Sequence, residues 1–264
     1  MRLCALIALI LSLQSHASDQ FNITGFSGEY NAPNGTGTAD TFSIPSQDKE
    51  RINITLEALG EGYLLSTPEE TWEWSEPAAW VKDLKSASWN GVDLVVAGQS
   101  QRVAMSSLVG LHEDKRVHIE GLSAQCSGSS DLVQSCLNGS ASIRLSKLVY
   151  QSALRSDQFQ TILDALARAL DVTGRGGDTE VKSLKLDISN NKFKGEVSVS
   201  IGISATVKFE GLISQDPNDG KISIRLDKAK ASFLDVRGKI FDELEEAQSE
   251  SFVVQRPWIY ILSE

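Results

Sequence analysis

The 264-residue sequence is poor in cysteine, histidine and cationic charge: it has three cysteines, three histidines, and 25 Lys plus Arg against 35 Asp plus Glu. A formal net charge of -10 leaves no basic footprint to neutralise phosphates, so nucleic acid is not expected as a partner. Only six prolines and 20 glycines accompany 41% hydrophobic residues, which excludes a collagenous, low-complexity or disordered chain. Long apolar runs are missing too. The longest, Leu3 to Leu13, has 11 residues, whereas a membrane-spanning helix needs about 20. No transmembrane segment is therefore expected. Catalytic signatures are equally scarce, with no G-x-S-x-G elbow, H-E-x-x-H, P-loop or G-x-G-x-x-G after a strand.

The short apolar run follows Met1-Arg2 and is closed by Ser15-His16-Ala17, a small-x-small pattern suited to signal peptidase. Residues 1–17 read as a secretory signal whose removal takes Cys4 and His16 with it. The protein is expected to be exported: periplasmic in a Gram-negative bacterium, secreted otherwise. In an oxidising compartment the remaining Cys126 and Cys136 read as one disulfide. No histidine or further cysteine stands beside them at ligand spacing, so neither metal nor cofactor is expected. Sequons begin at Asn22, Asn34, Asn53 and Asn138, but several arise by chance in a chain this rich in Ser and Thr.

Residues 18–50, rich in Gly, Asn, Thr and Ser, read as an irregular lead-in with short edge strands at best. From Ile52 the chain turns strand-like in INITLEAL, GVDLVVAG, RVAMSSLV, RVHIEGLSA and ASIRLSKLVY. A helix is expected over 157–172, where Phe159, Ile162, Leu163, Leu166 and Leu170 recur at three- and four-residue spacing. Beyond it Leu184, Leu186 and Ile188 alternate with polar residues up to a turn at Asn190-Asn191. Phe193, Val197, Val199, Ile201, Ile203, Val207 and Phe209 then keep one parity over 17 residues. As a single strand this would extend roughly 56 Å at about 3.3 Å per residue, so it would have to coil, bending at Gly195 and Gly202. Ile222, Ile224 and Leu226 follow in register, and the shift to Ala229, Ala231 and Phe233 predicts a bulge near Lys228. A second helix is expected from about Gly238 to Gln248 with Ile240, Phe241 and Leu244 inward. A closing strand, SFVVQRPWIYILSE, carries Pro257 at an edge or bulge.

Three collinear matches suggest an internal duplication. RVHIEGLSAQ (Arg116 to Gln125) parallels TVKFEGLISQ (Thr206 to Gln215), SIRLSK (Ser142 to Lys147) parallels SIRLDK (Ser223 to Lys228), and Ile162 to Leu166 parallels Ile240 to Leu244. The expected fold class is thus α+β: a predominantly antiparallel, strongly curved β-sheet packed on two helices, in two related sheet-helix units over 51–178 and 179–264. The disulfide would brace a loop that only the first unit has.

The alternating strands, the SIRLDK strand and the Ile240, Phe241, Leu244 helix resemble the tubular lipid-binding (TULIP-like) proteins, especially the LmeA-like phospholipid-binding proteins of bacterial envelopes. The resemblance covers roughly the C-terminal third. It implies a curved sheet wrapped around a helix, with an apolar groove for acyl chains. On that reading the protein is not an enzyme, and its partner is a lipid or apolar small molecule. Leu186, Ile188, Val197, Val199, Ile201, Ile203, Val207 and Phe209 would line the cavity from the sheet, and Ile240 and Leu244 would close it from the helix. The work would be removal of acyl surface from water, worth about 0.8 kcal/mol per buried methylene. The rival is a structural or adhesive envelope module, glycan-binding through Trp72 and Trp74, which share a strand face. The flanking Glu69, Glu70, Glu73 and Glu76 disfavour docking of that tryptophan segment on an anionic membrane. Enzyme chemistry ranks third. It would need His112, His118, or adjacent carboxylates such as Glu69-Glu70 and Glu245-Glu246, which usually point apart into water.

Overall fold

The computed structural model describes residues 20–44, 47–58, 63–68, 71–74, 84–112, 115–128, 132–152, 180–201, 203–216, 218, 220–250 and 252–262. The chain divides into two compact units, Met1–Leu122 and Ser123–Glu264. Strands dominate both, and the strand pairings whose register is described are antiparallel. The protein is therefore a mostly antiparallel β protein with two short described helices, α1 (Leu132–Asn138) and α2 (Arg237–Glu246), and not the expected α+β pair of sheet-helix units. The helix expected over 157–172 lies outside the described residues.

In the first unit, β1 (Gln20–Asn31), β2 (Asn34–Ile44), β3 (Gln47–Ala58), β4 (Tyr63–Ser66) and β5 (Thr71–Trp74) form a meander in that order. On the other side of β1 comes β6 (Leu84–Ala97), which pairs with β7 (Ser100–His112). The supposed lead-in is thus regular strand. Its glycines and threonines belong to the sheet, because the small residues make room for large ones. Gly28 stands opposite both Gly37 and Trp89. A Cβ on Gly28 would come within 2.8 Å of the Trp89 ring, and one on Gly37 within 2.8 Å of the Phe26 ring. The two rings lie 5.2 Å apart between centroids. Trp89 is buried, which is the core-packing role for that tryptophan.

Two glycine bulges re-aim the strands around this cluster. Gly25 (φ 62°) and Gly91 (φ 60°) sit where the β1–β6 register shifts. Their amides donate to Asp93 Oδ1 and Ser27 Oγ, each at 2.9 Å, so neither N–H lost from the ladder is left unsatisfied. After Gly91 the buried positions of β6 change from odd (Ala87, Trp89) to even (Val92, Leu94).

β8 (Lys115–Ser127) runs across the division between the units. In the second unit its end pairs with β9 (Ser140–Leu145), and β9 and β10 (Lys147–Ser152) both pair along β11 (Glu180–Ser189). Then follow β12 (Lys192–Ile201), β13 (Ile203–Gln215) and β14 (Ile222–Ala231), each paired with the one before. The short β15 (Leu234–Asp235) folds back on β14, and β17 (Trp258–Ile261) pairs with both β14 and β16 (Phe252–Gln255).

The turn at Asn190-Asn191 forms as expected, with φ 50° and 60°, the double left-handed conformation of a tight hairpin that asparagine tolerates. The bulge near Lys228 also forms: Glu210 faces Lys228 while Gly211 faces Leu226, leaving Asp227 over. The long coiled strand does not form. Residues 193–209 are a hairpin, β12 and β13, with Ile201 opposite Ile203. Odd-numbered residues face odd-numbered ones throughout this hairpin, so one parity passes through the turn unbroken and imitates a single strand. The closing strand likewise proves to be a hairpin, with Pro257 in its turn after a cis Arg256-Pro257 bond.

The repeated segments occupy comparable places, since β8–β9 and β13–β14 are both antiparallel neighbours. Their registers differ by one residue: Ala124 faces Ile143, whereas Ile213, aligned with Ser123, faces Ile224. Gly121, at φ 59°, lies between the odd buried position Ile119 and the even one Cys126, and β13 has no positive-φ glycine at the aligned Gly211. The helix matched in the first copy, 162–166, lies outside the described residues.

Glycines under aromatic rings should be the least replaceable. A Cβ on Gly211 would lie 1.8 Å from the Arg225 carbonyl oxygen, while nothing lies within 4 Å of one on Gly238 in α2. Gly211→Ala is expected to destabilise the second unit by about 3 kcal/mol through forced backbone movement. Gly238→Ala should be neutral or stabilising by up to about 1 kcal/mol through helix propensity. Urea unfolding of the two variants against the parent measures both, and equal effects would contradict the packing described.

Candidate functional site

Five of the residues expected to line a ligand cavity, Leu186, Ile188, Val197, Val207 and Phe209, belong to or pack against one hydrophobic cluster of the second unit's sheet. Direct cross-strand pairs build it row by row. Cys126, Ala141, Ile188, Phe193, Gly211 and Leu226 form one row, and Ala124, Ile143, Leu186, Gly195, Phe209 and Ala229 form the next. Gly195 and Gly211 are again the empty sites. A Cβ on Gly195 would come within 2.5 Å of the Phe209 ring, and one on Gly211 within 2.9 Å of the Phe193 ring. The two rings, 5.9 Å apart and tilted by 52°, each lean over the glycine opposite.

Ile188, Val207, Ile240 and Leu244 are buried within one hydrophobic cluster with Phe193, Leu226, Ala229, Phe241, Phe252 and Val254. Leu186, Val197 and Phe209 are half-buried and pack against it. Val199 is buried but stands outside this cluster, opposite Val181 and Ala205. The side chains of Ile201 and Ile203 lie outside the described residues, although their backbones pair. Eight of the ten expected residues are thus placed on β11, β12, β13 and α2.

Two helices flank this face. α2 presents Ile240, Phe241 and Leu244 to it and contacts β14 and β16. Arg256, in the β16–β17 turn, clamps α2 from outside by donating to Glu245 Oε1 and Oε2 at 2.6 and 2.9 Å and to Asp242, with its guanidinium 5.6 Å from the Phe241 ring centre. Sequence reasoning missed α1, which starts within the disulfide loop, carries Cys136 and contacts β9, β11 and β13. A seven-residue helix is too short to show a periodic stripe. Cys126 and Cys136 are bonded, with Cα atoms 4.8 Å apart. Asn138 completes the attachment: its Nδ2 donates to the Gln215 carbonyl at 2.9 Å and its Oδ1 accepts from the Gln215 amide at 2.8 Å. That sequon asparagine is therefore a tertiary clasp.

The opposite face is charged. Arg144 donates to Asp187 at 2.8 Å, and Lys228 pairs with Glu210. The Arg144 hydrogen bond, with a further one from Ser142, holds the Asp187 carboxyl below its ordinary range despite some desolvation. In the first unit, where sequence reasoning expected no ordered site, Ser27, Glu29, Thr36, Thr38, Asn53, Thr55 and Ser88, with Gly28, Gly37 and Ile54, line a shallow open concavity of about 550 Å³ over β1, β2, β3 and β6 whose exposed lining is mostly apolar. Its only sequence signal is the alternation of Thr and Asn with Gly and Ile.

His118 pairs with Glu120 at 2.9 Å on its own strand, and no group of three or more His, Cys, Asp or Glu fit to hold a metal occurs among the described residues. Trp72 and Trp74 pair with Leu65 and Tyr63 through their backbones. Glu69, Glu70, Glu76 and Trp80 lie outside the described residues.

No family model and no curated protein sequence matches this chain.

The attachment of α1 is testable. Non-reducing peptide mapping should recover Cys126 crosslinked to Cys136, and replacing both with Ser should cost about 2 to 3 kcal/mol, as expected for a loop this short. Asn138→Ala should cost about 1 to 2 kcal/mol, because it leaves the Gln215 amide without its partner.

A carboxyl whose folded pKa is depressed stabilises the fold above its unfolded pKa, and that contribution disappears as pH falls through the folded value. Asp187→Asn should therefore lower stability at neutral pH and reduce its loss on acidification below about pH 4. Unfolding midpoints that change with pH identically in parent and variant would contradict this.

Proposed function

We propose that the protein is an exported, non-catalytic binder of a lipid or similar apolar molecule, held on the apolar face of the second unit, as the resemblance to TULIP-like proteins implies. The observation that supports this reading is the set of half-buried apolar side chains, among them Ile143, Leu186, Val197, Phe209, Ile213 and Ile224, packed around the buried cluster. Ile143, Leu186 and Phe209 share one row beside the buried one, so an acyl chain laid across it would extend the existing core and would need no reacting group.

A second reading takes the hydroxyls, the Asn53 carboxamide and the Glu29 carboxylate among the lining of the first unit's concavity as hydrogen-bonding groups for a hydroxyl-rich glycan. It makes the protein an adhesive envelope module whose apolar face is simply core.

Uptake of an NBD-labelled phospholipid separates the two. Leu186→Trp and Val197→Trp fill the proposed acyl path and should lower uptake about tenfold or more while leaving the unfolding midpoint nearly unchanged. Thr36→Trp, in the concavity, should leave uptake intact. A parent protein that takes up no probe, together with destabilisation of about 1 to 3 kcal/mol by the tryptophans, would reject lipid binding in favour of a filled core.

A further inference from the structure

We propose that the apolar face of the second unit takes one unbranched acyl chain, laid across the strands in a slot of limited length, and that it does not discriminate between headgroups. This rests on the reading of the protein as a lipid binder and narrows its ligand to a single-chain amphiphile.

The rows of the sheet differ in how far they are covered. In the first row Cys126, Ala141, Ile188, Phe193 and Leu226 are all buried. In the next row Ile143 on β9, Leu186 on β11, Gly195 on β12 and Phe209 on β13 are direct neighbours, and all four are only half-buried. The third row is interrupted, because Leu145 and Val207 at its two ends are buried while Leu184 and Val197 between them are half-buried and border the open row. Among these rows the second alone stays open over four neighbouring strands. One acyl chain has a continuous path there, and a second chain beside it has none.

The path is closed at one end. Phe209 faces Ala229 on β14, which is wholly buried in the cluster that also holds Val236 and Ile240. The Val236 amide donates to the Ala229 carbonyl at 3.0 Å, which fixes the segment before α2 against this end. From β9 to β13 the open row crosses three strand spacings, roughly 14 Å in all. That is the extended length of a lauroyl chain. Every side chain named in the three rows is apolar. None can neutralise or hydrogen-bond a headgroup, and burying a charged one unpaired is costly. The headgroup therefore stays in water, and only methylenes contribute to binding.

The test is displacement of cis-parinaric acid from the full-length protein. The competitors, all monomeric, are lysophosphatidylcholines of rising chain length, the matching free fatty acids, and dioctanoyl phosphatidylcholine. Affinity should rise about two- to fourfold per methylene from octanoyl to lauroyl and then level off through myristoyl and palmitoyl. Fatty acid and lysophospholipid of equal length should agree within about threefold, and the dioctanoyl lipid should bind within about threefold of its single-chain form. Ile143→Trp, at the open end, takes one strand out of the path. It should move the levelling-off to decanoyl or shorter with an unchanged unfolding midpoint, and if this variant unfolds the series on the parent protein decides alone. Three results would overturn the slot while leaving lipid binding intact: affinity that keeps rising through palmitoyl, that separates the two headgroups by more than about tenfold, or that favours two chains by that margin. A parent protein that binds neither the probe nor any competitor would overturn both.

Discussion

A side chain large enough to seal one face of a β-sheet needs an empty position on the neighbouring strand, and both units of this protein are organised around that requirement. Trp89 and Phe26 lie over Gly28 and Gly37 in the first unit, and Phe209 and Phe193 lie over Gly195 and Gly211 in the second. Ordinarily a glycine weakens a strand, through lost side-chain contact and a larger entropy of ordering. Here an aromatic ring restores the contact from the strand beside it. In the second unit the paired rings also make the surface against which Leu226, Ala229 and the apolar stripe of α2 pack. Without the glycines the rings would be displaced, and α2 would lose its seat.

Sheet faces then divide the chemistry. The apolar face of the second unit passes from a buried cluster to half-buried Leu186, Val197 and Phe209, while the polar face carries the Arg144–Asp187 and Lys228–Glu210 pairs. Exposed pairs of this kind contribute little to stability, so their main effect is to keep that face wet.

Elements governed by near neighbours were legible. The Asn190-Asn191 turn, the Lys228 bulge, the inward residues of α2 and the Cys126–Cys136 pair all follow from short-range geometry or from compartment chemistry. Misreadings arose where a local pattern has two tertiary solutions. Parity from Phe193 to Phe209 fits one long strand or a hairpin in register, and only closure at Ile201 and Ile203 chooses between them. Glycine and threonine in 18–50 suit a loop until Trp89 and Phe26, from elsewhere on the sheet, occupy the space the glycines leave. The fold class was misjudged because the helical stripes were weighted equally with the strands, whereas antiparallel strands dominate both units among the described residues.

The sequence by itself determined the alternation of apolar and polar residues, the positions where the chain can turn, the inward stripe of α2 and the cysteine pair, because each depends on residues within a few positions of one another. Tertiary structure alone decided which strands neighbour which, and therefore which ring covers which glycine. It also decided that Asn138 clasps Gln215 across 77 residues of chain, and that Phe233 and Leu234 are left in water while Ile240 and Leu244 are not. Val, Ile, Leu and Phe have the same affinity for any apolar surface. Hydrophobic pattern fixes which side of a strand turns inward, but the partner it meets is set by register and chain closure over long separations.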